Sequence, residues 1–402
     1  MKTFFKKILS QKIINLLWHY PRAVLAATLN SFPAKKLTVI GIAGTKGKTS
    51  TAYILSHILD SASIPNALLS TAALKIRGEE NPNLLKMTSP DVFFLNAFLK
   101  KVLAKGCTHV IIEVSSHAID QYRVWGIPFS IVLLTNLTPD HLEYHTSAQE
   151  YQSIHTRIVT PHHTTLILNA EDTATRKFRA VPKQKIFFTS DGPVAHALAK
   201  KNIPLMDGFQ KINIIAAITA SLALDISPHA IFEALHTLKT IPGRCEYIEA
   251  GQSFKIIIDY AHSPLSLYTF FEALPKPKAG QIITVFGACG ERDSSTRAPM
   301  GDLLDRYSDI IIITNDDPYS EDPAKIANEV LAGIKQKNIS DHTLYTILDR
   351  REAIQKAITL ARHDTTVCIL GKGAEQWQVF AHEKIPWDDR LVVREILKGI
   401  YA

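Results

Sequence analysis

Long apolar runs are missing from this chain. The most apolar stretch near its start, Ile13-Ile14-Asn15-Leu16-Leu17-Trp18 and then Ala23 to Leu29, is interrupted by Asn15, His19 and Arg22. It never reaches the roughly 20 apolar residues that a membrane-spanning helix needs. Lys2, Lys6, Lys7 and Lys12 give it a superficial likeness to a secretory signal. A phosphate-binding loop follows closely, however, and such a loop has no use outside the cell. The reading adopted for residues 1–34 is one or two amphipathic helices packed on the main body, with peripheral contact with an anionic membrane as the alternative. Cysteine is scarce: Cys107, Cys245, Cys289 and Cys368 stand far apart. That spacing offers neither a metal knuckle nor a disulfide framework, and reduced thiols in a cytoplasmic protein are the simplest account. Repeats and low-complexity segments are absent. The formal net charge is +7, with the basic residues scattered along the chain rather than run together. That argues against a nucleic-acid partner and leaves small polyanions such as nucleotides. The 402 residues leave room for two or three domains, each with its own core.

The stretch that organises the rest is Gly41-Ile42-Ala43-Gly44-Thr45-Lys46-Gly47-Lys48-Thr49-Ser50-Thr51. An apolar run from Leu37 to Ile42 precedes it and reads as a buried strand. The apolar spacing of Ala52 to Leu59 reads as a helix. Strand, glycine turn, Gly-Lys-Thr and helix together make a phosphate cradle: backbone N–H groups approach phosphate oxygens, Lys48 adds a cation and the Thr49 hydroxyl can hold Mg²⁺. The strict P-loop pattern would put glycine where Ile42 stands, so this is a variant using Gly41 and Gly44.

Strand and helix patterns then alternate, which predicts a mostly parallel sheet covered on both faces. Strands are expected at Thr108 to Val114, Ile131 to Thr135, Thr164 to Leu168 and Ile186 to Thr189. Helices are expected at Val92 to Leu103, Ile212 to Leu224 and Pro228 to Leu238. Thr240-Ile241-Pro242-Gly243-Arg244 reads as a domain boundary. A second alternating series follows, with strands at Lys255 to Ile258, Ile282 to Phe286, Ile310 to Thr314 and Thr366 to Leu370, and a helix at Leu265 to Leu274. The expected fold is α/β: a P-loop ATPase-like parallel-sheet domain at 35–240, followed by a smaller Rossmann-like C-terminal domain at 241–402.

Polar clusters sit where these strands end, the place where open α/β sheets bind ligands. Glu113 ends one strand and suits a Mg²⁺ ligand. Thr135 to His145 brings Asp140, His141, Glu143 and His145 after another strand, suiting a second cation site or a nucleotide contact; Asp140 or Glu143 could instead cap a helix. Arg123, with Gln121, could clamp a phosphate or carboxylate. Arg244 at the domain joint could reach a nucleotide, Asp259 could contact a ribose, and the Asp316-Asp317 pair suits an ammonium group.

With these segments in order, the chain resembles a Mur ligase of the kind that makes UDP-N-acetylmuramyl-tripeptide. The matching segments are Gly44 to Ser50, Thr88-Ser89-Pro90, Glu113 to Ala118, Thr135 to His145, Asn169 to Asp172, Pro242-Gly243-Arg244, Asp259 to His262, Phe286 to Arg297, Asp316-Asp317-Pro318 and Gly371 to Glu375. The resemblance implies an ATP- and Mg²⁺-dependent amide-bond ligase acting on UDP-N-acetylmuramyl-L-Ala-D-Glu and an amino acid through an acyl phosphate, in a cleft between two lobes that closes against water. It assigns Gly44, Thr45, Lys46, Gly47, Lys48, Thr49, Ser50, Asn213, Arg244 and Asp259 to ATP. Thr49, Glu113 and His141 fall to the metal, and Lys48, Glu113 and His141 to catalysis. Thr88, Ser89, Ser115, Gln121 and Arg123 would grip the nucleotide-sugar peptide, and Arg292, Asp316, Asp317, Tyr319, Gly371 and Glu375 would receive the amino acid. Other Mur-like chemistry (a folate or poly-amino-acid ligase) and a catalytically degenerate ATP-binding module are the competing readings.

Four departures from the family stand out. About forty residues precede the P-loop, where the family normally carries a domain for the UDP moiety. His155 stands where the family has a carbamylated lysine near the second Mg²⁺ and is counted with the substrate-binding residues; imidazole can ligate metal but lacks the carbamate charge. The segment from Thr189 to Leu205 is short. Tyr319 replaces the arginine that reads the distal carboxylate in diaminopimelate-adding members, which leaves lysine or another amino acid as an equal candidate.

Overall fold

The computed structural model describes residues 10–85, 87–139, 144–199, 209–238, 240–274, 280–335 and 343–401. The chain divides into two compact units, Met1–Lys239 and Thr240–Ala402.

The first unit is built on eight strands: β1 (Thr38–Ala43), β2 (Asn66–Leu69), β3 (Ala73–Ile76), β4 (Glu79–Pro82), β5 (His109–Val114), β6 (Phe129–Leu134), β7 (Thr165–Asn169) and β8 (Gln184–Phe188). Their order across the sheet is β4-β3-β2-β5-β1-β6-β7-β8. Neighbours from β2 to β8 pair in parallel, while β3 and β4 add an antiparallel edge. The apolar run that signalled β1 lies at the centre, buried from Val39 to Ala43, as a strand covered on both faces must be. Strands expected from apolar runs appear within a few residues of their expected places. The segment β2–β4 was not anticipated: β2 is only four residues long, and Glu79-Glu80-Asn81-Pro82 is exposed throughout, so neither shows the alternation that marks a half-buried strand.

The N-terminal segment forms a short helix, Gln11–Ile14, a π-helical turn, Asn15–His19, and a helix, Tyr20–Leu29. It packs on the first unit. Ala23 and Ala26 meet Val92, the Tyr20 ring lies edge-on to Tyr122 and Trp125 at 5.2 and 5.5 Å, and Asn15 Nδ2 donates to Asp120 Oδ2 at 2.6 Å. Among the described residues no helix is long and apolar enough to cross a membrane.

The second unit has β9 (Glu246–Tyr247), β10 (Lys255–Asp259), β11 (Ile282–Phe286), β12 (Ile310–Ile313), β13 (Leu344–Thr346) and β14 (Thr366–Leu370), in the order β13-β12-β11-β14-β10-β9. Only β9 runs antiparallel to its neighbour. A hairpin of β15 (Trp377–Val379) and β16 (Lys384–Pro386) follows. Ile256 and Ile258 join one core while Ile257 joins the other. The unbroken apolar run is therefore the mark of a strand buried on both faces.

A buried ion pair locks this unit. Arg350 Nε and Nη2 donate to Asp389 Oδ1 and Oδ2 at 2.8 and 2.7 Å, and neither side chain is exposed. The same guanidinium reaches the carbonyls of Asn315 and Leu370 at 3.1 and 3.0 Å, fixing the ends of β12 and β14. Burial opposes the Asp389 charge, but Arg350 and the hydrogen bonds it receives hold its pKa below the ordinary carboxylate range. Its contribution to stability is thus complete above the unfolded aspartate value and is lost as pH falls through the depressed folded one. Asp389→Ala leaves a buried guanidinium unpaired and is expected to cost about 3–5 kcal/mol in denaturant unfolding at neutral pH.

Candidate functional site

The glycine loop after β1 is held from the next strand. Beyond β6, Thr135 N donates to Ala43 O at 3.1 Å and Thr135 Oγ1 to Lys46 O at 2.6 Å. Asn136 takes the N–H of Thr45 on its carbonyl at 2.9 Å and that of Lys46 on its side chain at 3.2 Å, and returns Nδ2 to Lys46 O at 3.0 Å. Thr135 and Asn136 therefore clasp the loop. Gly44 has φ +122°, and a Cβ there would stand 2.5 Å from Thr135 Oγ1 and 2.6 Å from Asn136 O. Gly47, with φ +83°, opens the helix Lys48–Ser61, where the side chain of Asn213 closes on it. Only glycine satisfies both the backbone angle and the space. Lys48 Nζ lies over the loop, donating to Gly44 O and Thr45 O at 2.8 and 2.9 Å. Thr49 and Ser50 are buried in the first turn. The loop thus presents backbone N–H groups, a helix N-terminus and a lysine together, the donor set a polyphosphate requires.

Beside it runs a second network. β1 and β5 register Ala43 opposite Val114, so Gly44 and Ser115 leave the sheet from adjacent positions. Ser115 caps the helix Ser116–Asp120 by accepting from Ala118 N, and its own N donates to Ser89 Oγ at 3.1 Å. Ser89 Oγ donates to Glu113 O at 3.0 Å. Arg123 Nη1 donates to Ser89 O at 2.6 Å, and Nη2 donates to Gln121 Oε1, also at 2.6 Å. Thr88 Oγ1 lies 2.9 Å from Thr71 Oγ1. The five residues expected to grip substrate thus share one connected cluster. Glu113 is fully buried; its Oε1 accepts from Thr71 N at 3.1 Å and its Oε2 from Thr71 Oγ1 at 2.8 Å. Thr71 was not singled out in the sequence, because the short strands around it carry no strong pattern. His141, with Asp140 and Glu143, lies outside the described residues.

His155 sits in the core with 0% exposure. Its Nδ1 is 2.9 Å from Tyr151 O, while Nε2 is buried with no hydrogen-bond partner among the described residues. Tyr151 in turn meets Thr45 Oγ1 at 2.7 Å, linking the helix Ala148–Ile154 to the glycine loop. Burial, with the nearby charges of Lys48 and His145, pulls the His155 pKa down to about 4.

In the second unit the expected amino-acid residues gather, with a difference. The Asp316-Asp317 pair does hold an ammonium, but it is that of Lys372: Nζ is 3.0 Å from Asp316 Oδ1, 2.9 Å from Asp317 Oδ1 and 3.4 Å from Glu375 Oε2. Burial opposes that charge, yet Asp316, Glu375 and Asp317 hold the lysine well above its ordinary range. These three carboxylates are close enough to ligate a metal, and the Lys372 ammonium sits among them. Gly371 has φ +109° and packs against Asp316 Oδ2. Tyr260 OH donates to Glu375 Oε1 at 3.3 Å, and the Arg244 guanidinium stands 4.4 Å from the Tyr260 ring centre. Asp259 Oδ2 accepts from Cys245 N at 2.7 Å. Burial and the charges of Cys289, Asp317 and Glu375 push the Tyr319 phenol up to about 12, against an opposing pull from Arg292.

Comparison with known proteins decides the family. Residues 42–229 match the Mur ligase middle domain, and residues 243–373 match the Mur ligase, glutamate ligase domain. The chain is 35% identical, over 413 residues, to the UDP-N-acetylmuramoyl-L-alanyl-D-glutamate–2,6-diaminopimelate ligase of Aquifex aeolicus, covering 97% of this chain and 84% of that one. The chain belongs to the Mur ligase family. A solved structure of a UDP-N-acetylmuramoyl-L-alanyl-D-glutamate–2,6-diaminopimelate ligase superposes with a TM-score of 0.61 at 24% identity, covering 95% of this chain and 83% of that one. Folylpolyglutamate synthase of Mycobacterium tuberculosis, solved with ADP and AMPPCP, reaches 0.68 at 14% identity, covering 95% of each chain. Both likenesses show the α/β Mur ligase fold expected from the sequence.

In this Mur ligase the neutral, buried His155 makes a stability prediction. Its pKa falls from an ordinary 6.5 to about 4 on folding, so the unfolded chain binds the extra proton between those values. Stability is complete above that window and declines as pH falls through it, with a slope approaching about 1.4 kcal/mol per pH unit. Denaturant midpoints measured across the window for wild type and His155→Leu should show that extra slope in the wild type alone.

Proposed function

We propose that this Mur ligase joins the third amino acid to UDP-N-acetylmuramyl-L-Ala-D-Glu, driven by ATP, in the cytoplasm. The observation that carries the reading is the adjacency at β1 and β5, which sets the glycine loop beside the Ser89–Ser115–Arg123 cluster. The γ-phosphoryl group passes to the terminal carboxylate of the dipeptide, and the amine of the incoming amino acid attacks the resulting acyl phosphate and expels phosphate. Such a transfer asks for positioning and charge neutralisation more than covalent help. Gly44 to Ser50 hold the phosphates, and Lys48 stabilises charge on the transferred group. Thr88, Ser89, Ser115, Gln121 and Arg123 hold the acceptor. Asn213, Arg244 and Asp259 serve the nucleotide. When bound, Mg²⁺ supplies neutralisation of the phosphate charge; the hydroxyl of Thr49 and the carboxylate of Glu113 suit it as oxygen donors, and His141 completes the set that would hold it.

Arg292, Tyr319, Gly371 and Glu375 receive the amino acid, and Asp316 and Asp317 act through Lys372 to shape that pocket. Tyr319 is a neutral phenol at physiological pH, a hydrogen-bond donor without a cation's attraction for a distal carboxylate. This favours lysine or another amino acid without that carboxylate over diaminopimelate, the substrate named for the relatives. Tyr319→Arg should raise kcat/KM for diaminopimelate relative to lysine by roughly tenfold or more, the range of a charge-assisted hydrogen bond.

Phosphate release from ATP, measured with UDP-muramyl-dipeptide and a panel of amino acids, tests the reading. Release should require both co-substrates, and Lys48→Ala should lower kcat/KM by about 100-fold or more. Turnover with pteroyl substrates would move the assignment to a folate ligase. ATP binding without turnover on any substrate would make the chain a degenerate module.

A further inference from the structure

We infer that the outward face of the N-terminal helical segment docks on an anionic lipid bilayer. The segment is amphipathic in the opposite sense to an ordinary surface helix. Its body-facing side is small or polar: Asn15, Ala23, Ala26 and Ala27 are buried. Its large apolar residues face outward: Ile13, Leu16, Leu17, Trp18, Leu25 and Leu29 are all 42–67% exposed. Ile13, Leu17, Leu25 and Leu29 lie at multiples of four residues, across the π-helical turn Asn15–His19. They form a stripe that no described residue covers, and exposing it to water is costly.

Charge selects the occupant. No acidic residue precedes Asp60, and the stretch up to Lys36 carries seven cations. The whole chain has a net charge of +7, so the residues after Lys36 balance. The basic excess is therefore concentrated in the first 36 residues of the sequence, which corrects the impression of an even scatter. Lys12 and Arg22 pair with Glu150 and Asp91 of the first unit at 3.3 and 2.9 Å, tying the segment down, while Lys35 and Lys36 are exposed at its end. A second copy meeting this face would bring like charges together; anionic headgroups complement them. Trp18, with the Arg22 guanidinium 5.5 Å from its ring centre, joins an apolar body to a cation, as residues at a membrane–water boundary do. The segment then lies in the plane of the bilayer surface, held to the enzyme by its alanine face.

Flotation of the full chain with phosphatidylcholine vesicles, with and without about 30 mol% phosphatidylglycerol, tests this. Recovery with phosphatidylglycerol should exceed that with phosphatidylcholine alone by about tenfold and fall in roughly 1 M salt. Trp18 emission should shift to the blue on binding, a shift that Trp18→Phe abolishes. The double variant Leu17→Glu/Leu25→Glu, altered only at exposed positions, should keep the wild-type unfolding midpoint and lose about tenfold or more of the recovery. Absence of flotation, equal recovery on both vesicles, or undiminished binding by the double variant would each overturn the inference. So would a wild-type dimer that the double variant converts to monomer, which would assign the face to a second copy.

Discussion

The parallel pairing of β1 between β5 and β6 is the constraint on which the first unit depends. It brings three strand ends, at Ala43, Val114 and Leu134, to one edge of the sheet. From Ala43 comes the glycine loop, from Val114 the Ser115 cap, and from Leu134 the Thr135-Asn136 clasp. The clasp is hydrogen-bonded to the loop and the Ser115 cap to Ser89, so the loop's backbone is fixed before any ligand arrives. Electrostatic stabilisation in a polar site depends on that prior orientation, because dipoles already aligned need no reorganisation at the moment of reaction.

The second unit reaches the same end with buried charge. Arg350 and Asp389 neutralise one another while the guanidinium reaches the carbonyls that end β12 and β14. Lys372 draws Asp316, Asp317 and Glu375 together around one ammonium. Such pairs contribute little net stability compared with a well-packed apolar core. What they do here is fix the carbonyl ends of the strands and shape the loops that carry Tyr319 and Gly371.

Much of this was legible in the sequence where burial on both faces leaves an unbroken apolar run, as in β1, β5, β11, β12 and β14, and where glycine is dictated by backbone angle, as at Gly44 and Gly47. The chemistry-bearing residues were legible as polar clusters at strand ends. Their partners were not. Thr71 comes to Glu113 from 42 positions away, and Asn136 comes to the glycine loop from 90, and no local pattern encodes either meeting. The Asp316-Asp317 pair was read as a seat for an ammonium, and sequence alone does not say that Lys372, some 56 positions on, comes to it. The N-terminal segment was read as amphipathic; that its alanines face inward and its leucines outward is a property of packing against Val92, which periodicity alone leaves undetermined.

The reaction itself is tested most directly by following oxygen. The terminal carboxylate of UDP-muramyl-dipeptide is labelled with ¹⁸O, and the phosphate released during ligation is analysed by mass spectrometry. Passage through an acyl phosphate transfers a single labelled oxygen from each carboxylate to the phosphate as the amine displaces it. Unlabelled phosphate, accompanied by formation of the amide product, would contradict phosphoryl transfer to that carboxylate.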